Sequence, residues 1–231
     1  MNIKRLILEG ENVSLDFKKT ISSSEKIAKT LVAFANNRGG RLLIGVADDG
    51  SIKGVKSEDE EKYMITKAAH IFCKPALEPK FDEVYIDGKI VLVVDIAKSD
   101  HKPHYAMDEH QKWWVYFRVK DKSVLASKII VDVLKESNND TGQLISYSEQ
   151  EKKLLTYLAE NGRITLKEYS KLTRSAYKKA QKIIVSLILT GVLLPHTSEK
   201  EEYFTAAEVK WLTSFYANLL ITDKKDEDQA F

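Results

Sequence analysis

Four acidic residues in the first quarter of the chain are the clearest candidates for chemistry. Glu11 and Asp16 share one short segment, and Asp48 and Asp49 follow an apolar run. Carboxylates that converge within a few ångströms can hold Mg²⁺ or Mn²⁺, because these ions prefer oxygen ligands. A metal ion held there could activate water against a phosphodiester. The alternative is that Asp48 and Asp49 only form a turn with Gly50 and that the other two acids are surface charges.

A basic segment, residues 163–182, is the second candidate. It contains seven basic residues and one acid, although the whole chain of 231 residues has a net charge of only +2. Lysine and arginine neutralise phosphates, and the first turn of a helix lying in a DNA groove reads base edges. The expected nucleic-acid contacts are Arg163, Lys167, Lys171, Arg174, Ser175, Lys178, Lys179 and Lys182. Ordinary solvated lysines, or a surface that docks a protein, are the alternative interpretations.

The elements that must position the acidic residues follow from local patterns. Residues 13–18 alternate with period two, which predicts a strand with its odd-numbered residues in the core and its even-numbered ones, including Asp16, on the other face. A capping box over residues 22–25 begins a helix that runs to about residue 37. Gly39 and Gly40 end this helix. A buried strand over 41–46 and an Asp-Gly turn then lead into a second strand.

Three blocks of sequence resemble those of a known family. They are ENVSLDFK at residues 11–18, FANNRGGRLLIGVADDGSIKGV at 34–55 and WVYFRV at 114–119. About residues 5–135 resemble the Schlafen-type AlbA domain, which is nucleic-acid-associated and occurs in many bacterial proteins. The implied fold for residues 1–136 is an AlbA-type α+β domain, a mixed or antiparallel sheet with packed helices.

The resemblance also implies roles for individual residues. In nuclease members of the family, two acids of the first block and one acid after the glycine-rich strand hold a divalent metal. Carried over, the catalytic residues would be Glu11, Asp16 and either Asp48 or Asp49, with Glu11, Asp16 and Asp48 as ligands of Mg²⁺ or Mn²⁺. No other cofactor is implied.

Basic and aromatic side chains near the same blocks suggest a nucleic-acid surface. Lys18, Arg38 and Arg118 are the expected phosphate contacts in this domain. Trp114 and Tyr116 share strand parity with Arg118, and aromatic faces beside a guanidinium can stack on bases. The alternative is that this face is a dimer surface or a second core under a helix.

The C-terminal part has the pattern of a second domain. Residues 137–147 are polar and turn-forming, and we interpret them as a linker. Three helices over 148–161, 165–172 and 174–190 and a wing near 203–205 predict an all-α winged helix-turn-helix domain over 148–221. This domain includes one more amphipathic helix over 208–220. Residues 222–231 are charged and are expected to be a disordered tail.

Composition narrows the location of the protein. Cys73 is the single cysteine, which excludes an intramolecular disulfide and fits a reducing cytoplasm. The N-terminus lacks the apolar segment of a signal peptide. The most apolar run, over residues 183–194, is shorter than the ~20 residues of a membrane span, so we expect no membrane association.

The leading hypothesis from the sequence is a cytoplasmic DNA-binding transcriptional regulator that acts as a homodimer. Duplex DNA is the favoured partner and RNA the alternative, because duplex half-sites match two-fold dimers. An enzyme is less favoured. If the chain is one, the acidic set makes it a metal-dependent endonuclease. A third hypothesis is an adaptor whose C-terminal domain docks a protein partner.

Overall fold

The chain forms two units, residues 1–138 and 139–231, which are described separately. The structure is a computed structural model that describes residues 2–137, 148–198 and 201–207. The predicted helix over 208–220, the predicted tail and all but the first residue of the predicted linker lie outside these described residues. No helix in the described part of the chain is long and apolar enough to cross a membrane.

The first unit combines four helices with two four-stranded sheets among its described residues. In chain order its elements are α1 (Ile3–Glu9), β1 (Leu15–Lys18), α2 (Ser24–Asn36), β2 (Gly40–Ile44), α3 (Glu58–Ile71), β3 (Cys73–Lys74), β4 (Lys80–Ile86), β5 (Lys89–Ile96), β6 (Tyr105–Met107), β7 (Trp113–Val119), β8 (Lys122–Leu125) and α4 (Lys128–Glu136).

The first sheet is mixed and is covered on both faces. Its strand order is β1-β2-β5-β4, in which β1 and β2 are parallel and the other pairs are antiparallel. Leu42 and Ile44 of β2 join the core under α2 and α3. Leu43, on the opposite face, packs with Phe17 of β1 and Ile3 of α1. A strand between two layers is apolar on both faces, which explains the continuous apolar run of β2.

The second sheet is antiparallel and packs against the same central helix. Its strand order is β3-β6-β7-β8. Helix α2 contacts β6 and β7 of this sheet as well as β2 and β5 of the mixed sheet. Leu31, Val32, Ala33, Phe34 and Ala35 are therefore all inaccessible to solvent. The apolar surface of this helix is wider than a single amphipathic stripe, because the helix has two apolar neighbours instead of one.

Several helices and strands differ from those expected from the sequence. The first strand begins at Leu15 because Asn12 turns the chain by accepting hydrogen bonds from the backbone and hydroxyl of Ser14. The strand expected after the acidic turn reduces to a single bridge between Val46 and Ile52. Helix α1 and strands β3, β6 and β8 were not predicted, since each is too short to show a periodic pattern.

The second unit has three described helices and a hairpin. They are α5 (Glu149–Asn161), α6 (Leu166–Leu172), α7 (Tyr177–Leu189), β9 (Leu193–Thr197) and β10 (Glu202–Ala206). Ser148 and Thr165 begin the first two helices with complete capping boxes. The description of this unit as all-α is wrong, because β9 and β10 form an antiparallel hairpin. Tyr169 and Phe204 are fully buried in its core.

Candidate functional site

A buried arginine dominates the region where the predicted acidic set begins. The side chain of Arg118 on β7 is only 1% exposed, and its Nη1 donates to Asp16 Oδ2 at 2.9 Å. Its Nη2 donates to the backbone oxygens of Asn12 at 2.8 Å and Leu15 at 3.3 Å. The guanidinium lies 5.0 Å from the centre of the Phe34 ring. Arg118 was expected to bind nucleic acid, but its Nη1 and Nη2 donate inside the first unit, and its Nε is buried without a hydrogen-bond partner among the described residues, so its position does not favour that role.

Glu11 and Asp16 do meet. Their carboxyl groups are hydrogen-bonded to each other, and Glu11 Oε1 also accepts from the backbone N–H of Phe17 at 2.8 Å. The other oxygen of Asp16, Oδ1, accepts from Lys18 Nζ at 2.7 Å. Asp16 is therefore surrounded by Glu11, Lys18 and Arg118. This polar cluster of four side chains is called the Arg118 cluster below.

The two carboxyl groups of the cluster have opposite pKa shifts. Burial and the hydrogen bond with Asp16 raise the pKa of Glu11. Burial acts to raise the pKa of Asp16 too, but the hydrogen bond from Glu11 and the charges of Lys18 and Arg118 outweigh it, so this pKa is lowered. Of the two carboxyl groups, Glu11 is thus the first to take up a proton as pH falls, and Asp16 is the one that stays an anion beside Lys18 and Arg118.

The third acid of the predicted metal site is not part of this cluster. Asp49 Oδ1 accepts from the backbone N–H of Ser51 at 2.8 Å, and these Ser51 hydrogen bonds lower the pKa of Asp49. Asp48 is exposed in the same turn. Within the described residues, no three His, Cys, Asp or Glu side chains are grouped closely enough to hold a metal ion.

Glu11, Asp16 and Asp48 are therefore not assembled as a three-carboxylate magnesium or manganese site in the described part of the chain. The catalytic roles expected for Glu11, Asp16, Asp48 and Asp49 stay a prediction. Both oxygens of Asp16 already accept from cations, and a carboxylate neutralised in this way is a poor ligand for a further cation. The turn interpretation of Asp48 and Asp49 agrees with their positions.

The aromatic face expected on β7 is not a continuous surface. Tyr116 is partly buried against the core under α2, with Lys29 Nζ 5.7 Å from its ring centre. Trp114 is 40% exposed, and its indole N–H donates to Asp108 at 2.7 Å. The interpretation of this face as a second core under a helix is correct for Tyr116 and Arg118.

Asn36, which lies at the end of the helix predicted to run to about residue 37, is an important residue that the sequence analysis did not single out. Its side-chain amide donates to the backbone oxygens of His104 at 2.9 Å and Tyr116 at 2.8 Å. Its Oδ1 accepts from the His104 N–H at 2.7 Å. Asn36 therefore joins the last turn of α2 to β7 and to the segment that precedes β6. An asparagine at the end of an apolar helix was the available signal.

Arg38 and Lys18, two expected phosphate contacts, differ in their exposure to solvent. Arg38 is exposed in the turn between α2 and β2, where it lines a cleft of about 320 Å³ together with Arg41 and Lys98. Lys18 is half-buried and donates to Asp16 and to the backbone oxygen of Phe17. Of the three expected nucleic-acid contacts in this unit, Arg38 alone has a guanidinium or ammonium group directed to an open surface.

The basic residues of the second unit are mostly on its surface. Seven of the eight expected contacts are exposed: Arg163, Lys167, Lys171, Arg174, Lys178, Lys179 and Lys182. Ser175 differs, because it is half-buried and its Oγ accepts from Gln150 Nε2 at 2.9 Å. This contact positions the turn before α7 and does not leave Ser175 fully available for a base.

Helix α7 is strongly two-sided. Ala180, Ile184 and Val185 are buried in the core of the second unit, whereas Lys178 and Lys182 are exposed and one helical turn apart. Arg174 precedes the helix with a φ of 49°, in a tight turn that follows α6. Such a turn between two helices presents the first turn of the second one outward.

Arg163 has a more restricted position than the other cations. Its guanidinium lies 5.0 Å from the ring centre of Tyr203, and Nη1 is 3.3 Å from Glu201 Oε1. His196, the cross-strand partner of Tyr203 in the hairpin, stacks on the Tyr203 ring with the two ring centres 4.8 Å apart. Arg163 is therefore held against the β9–β10 hairpin.

Comparison with known proteins identifies the class of the first unit. The family model for Schlafen, AlbA_2 matches residues 11–127, which is about half of the chain. The chain therefore belongs to the Schlafen AlbA_2 family, and the resemblance seen in the sequence is confirmed for this region.

Two solved structures are similar to the chain at low sequence identity. One is the DIP2311 protein of Corynebacterium diphtheriae, with 18% identity and a TM-score of 0.44. That match covers 64% of this chain and 29% of the Corynebacterium chain, so this chain spans less than a third of that protein. The other is the N-terminal domain of a RecG-related protein of Nitrosomonas europaea, with 19% identity and a TM-score of 0.40, covering 64% of this chain and 96% of that domain. No curated protein gives a significant match.

Proposed function

We propose that this chain is a DNA-binding transcriptional regulator whose second unit is a winged helix-turn-helix domain. In this proposal α6 and α7 form the helix-turn-helix, the β9–β10 hairpin is the wing, and α7 enters the major groove of duplex DNA. Membership of the Schlafen AlbA_2 family and the RecG-related name of one structural neighbour are compatible with a role on nucleic acid.

The observation that carries the proposal is the charge on the exposed face of α7. Lys178, Lys179 and Lys182 project from a helix whose other face is buried, and Lys171 and Arg174 precede it. Exposed cations of this kind neutralise phosphates and supply the sequence-independent part of binding. Tyr177, 56% exposed at the start of α7, is placed to contact base edges.

A homodimer follows from the same mode of binding. A single helix in one groove contacts a short half-site, and two-fold symmetric half-sites raise affinity by pairing two copies of the chain. The buried single Cys73 is compatible with the reducing cytoplasm in which such a regulator would act.

Charge reversal on α7 tests the proposal. Lys178→Glu/Lys179→Glu is compared with Lys152→Glu/Lys153→Glu, which reverses two adjacent exposed lysines on α5. Binding of a fluorescent 30-base-pair duplex is followed by anisotropy at several salt concentrations. The α7 variant should bind at least tenfold more weakly at low salt, and its salt dependence should be shallower by about 2 units of log–log slope.

The result that would overturn the proposal is equal DNA binding by the wild type and the α7 variant, or equal losses in both variants. An absence of salt-dependent binding by the wild type would also overturn it and would leave the adaptor hypothesis, in which α7 docks a protein. Circular dichroism of each variant verifies that the second unit remains folded.

A further inference from the structure

The cleft beside Arg38 depends on a close approach between two segments of backbone. Gly39 has a φ of 80°, and a Cβ atom added to it would lie 2.7 Å from the oxygen of Ile96 and 2.8 Å from the nitrogen of Lys98. Only glycine permits this approach. The turn that carries Arg38 is consequently pressed against the end of β5, and the exposed side chains of Arg38 and Lys98 border the same cleft.

The cleft carries an excess of positive charge. Arg38, Arg41 and Lys98 line it together with two acids, Glu9 and Asp95. Each of these two acids already has a cationic partner. Asp95 Oδ1 accepts from Arg41 Nε at 2.7 Å. Glu9 accepts from Arg5 Nε at 3.2 Å.

The neighbouring Lys102 adds to the positive field. Its Nζ donates to the backbone oxygen of Asn37 at 2.8 Å, at the C-terminal end of α2. Burial lowers the pKa of Lys102, and the charge of Lys98 lowers it further, whereas the charge of Asp100 acts to raise it.

The chemistry of these side chains favours a phosphate group. A guanidinium can donate two parallel hydrogen bonds to phosphate oxygens, and an ammonium group supplies a compact charge beside it. Ser14 and Asn12, which are hydrogen-bonded to each other, also line the cleft. A volume of about 320 Å³ is near the lower end of small-ligand sites, which are roughly 300–1,000 Å³.

We propose that the cleft between Arg38 and Lys98 is a second binding site of the protein, which takes the phosphate of a nucleotide unit. Arg38 and Lys98 contact the phosphate oxygens, and Arg41, held by Asp95, orders the wall behind them. This site lies on the first unit and goes beyond the duplex contact proposed for α7. The phosphate can belong to a free mononucleotide or to a single-stranded nucleic acid.

The test uses the full chain with α7 already altered. In the Lys178→Glu/Lys179→Glu background, isothermal titration measures binding of AMP and, separately, of a six-residue thymidine oligonucleotide. Arg38→Ala/Lys98→Ala is then added. The matched control is Lys26→Ala/Lys56→Ala, which removes two exposed cations that do not line the cleft. Lys26 lies near the start of α2, about 15 Å along the helix from Asn36 at 1.5 Å per residue, whereas Arg38 follows the other end of the helix.

At least one ligand should bind the background chain, and Arg38→Ala/Lys98→Ala should weaken that binding tenfold or more while the control weakens it less than threefold. Loss of AMP binding identifies a free nucleotide as the source, and loss of oligonucleotide binding alone identifies a nucleic-acid backbone. Failure of both ligands to bind the background chain, or equal losses in the two variants, would overturn the proposal. Neither failure depends on whether α7 binds duplex DNA, which the anisotropy experiment decides separately.

Discussion

Arg118 and Asp16 are 102 positions apart in the sequence and form an ion pair of 2.9 Å whose side chains are 1% and 6% exposed. The pair connects β7 of the antiparallel sheet to β1 of the mixed sheet. Lys18 and Glu11 complete the coordination of Asp16. Glu11 and Asp16, two of the four acids expected in a catalytic centre, therefore take part in a structural connection between the two sheets.

Removing the cation of this pair should destabilise the first unit strongly. We expect Arg118→Met to lower the free energy of unfolding by about 3–5 kcal/mol, because Asp16 would remain buried with only Lys18 to balance it. Urea unfolding followed by circular dichroism measures the loss. Lys18→Met is the control, and it should cost less because Lys18 is 39% exposed. Equal effects of the two substitutions would contradict the structural role of Arg118.

The opposite pKa shifts of Glu11 and Asp16 predict two opposite pH dependences. The raised pKa of Glu11 means that the folded state holds its proton more tightly, so its contribution to stability is lost as pH rises above 4.5, its ordinary pKa. The lowered pKa of Asp16 means that its contribution is present above 3.8 and is lost as pH falls below that value. Together they place the largest stabilisation by this pair between pH 3.8 and pH 4.5, where both contributions are present.

Two amide variants separate these contributions. The stability advantage of the wild type over Glu11→Gln should shrink between pH 4.5 and pH 7, and its advantage over Asp16→Asn should shrink below pH 4. Urea unfolding at half-unit pH intervals gives both differences. If the difference in free energy of unfolding between the wild type and Glu11→Gln instead grows with rising pH, the pKa of Glu11 is lowered in the folded state and not raised.

Gly39→Ala should destabilise the first unit by more than backbone strain alone. A positive φ in a non-glycine residue costs about 1–3 kcal/mol, and the added methyl group would also meet the backbone at Ile96 and Lys98. Gly88→Ala is a matched control, since Gly88 has a φ of 75° and nothing within 4 Å of an added Cβ. The excess loss in Gly39→Ala, measured by urea unfolding, reports the close approach. Equal losses would show that the approach carries no cost.

Nucleic acid should remain intact in the presence of this protein. End-labelled duplex DNA, single-stranded DNA and structured RNA, incubated with Mn²⁺ or with EDTA, should give the same full-length band on denaturing gels. The physical reason is that Asp16 is neutralised by two cations and that Asp48 and Asp49 belong to a separate turn. Fragments that need Mn²⁺ and disappear in Glu11→Gln would restore the endonuclease hypothesis.

The sequence predicted which side chains of β1 share a face, but not which element covers the face that carries Asp16. The period-two pattern correctly separates Asp16 from Leu15 and Phe17, which are buried on the α1 side. It could not show that the Asp16 side is covered as well, because the covering strand, β7, comes about 100 residues later. In β7 itself both parities are rich in aromatic residues, so alternation alone does not choose the inner face.

Other features were predictable from local chemistry. The capping residues Ser57, Ser127 and Thr165 begin their helices as side-chain acceptors, and Asp87-Gly88 forms the turn between β4 and β5. Local signals of this kind depend on a few neighbouring residues. The cleft at Arg38 was not predictable, since it requires the end of β5, nearly 60 positions away, to meet the glycine turn.

The position of α2 between two sheets has a consequence for how the first unit moves. Each sheet would expose the buried second half of α2 if it separated, so the two sheets should open together in one cooperative step, and the amide protons of this half should exchange most slowly with solvent. Arg38 is two residues beyond the end of this rigid helix, and Asn36 anchors that end to the second sheet. A ligand reaching the cleft would therefore meet a preorganised wall and lose little affinity to the ordering of backbone.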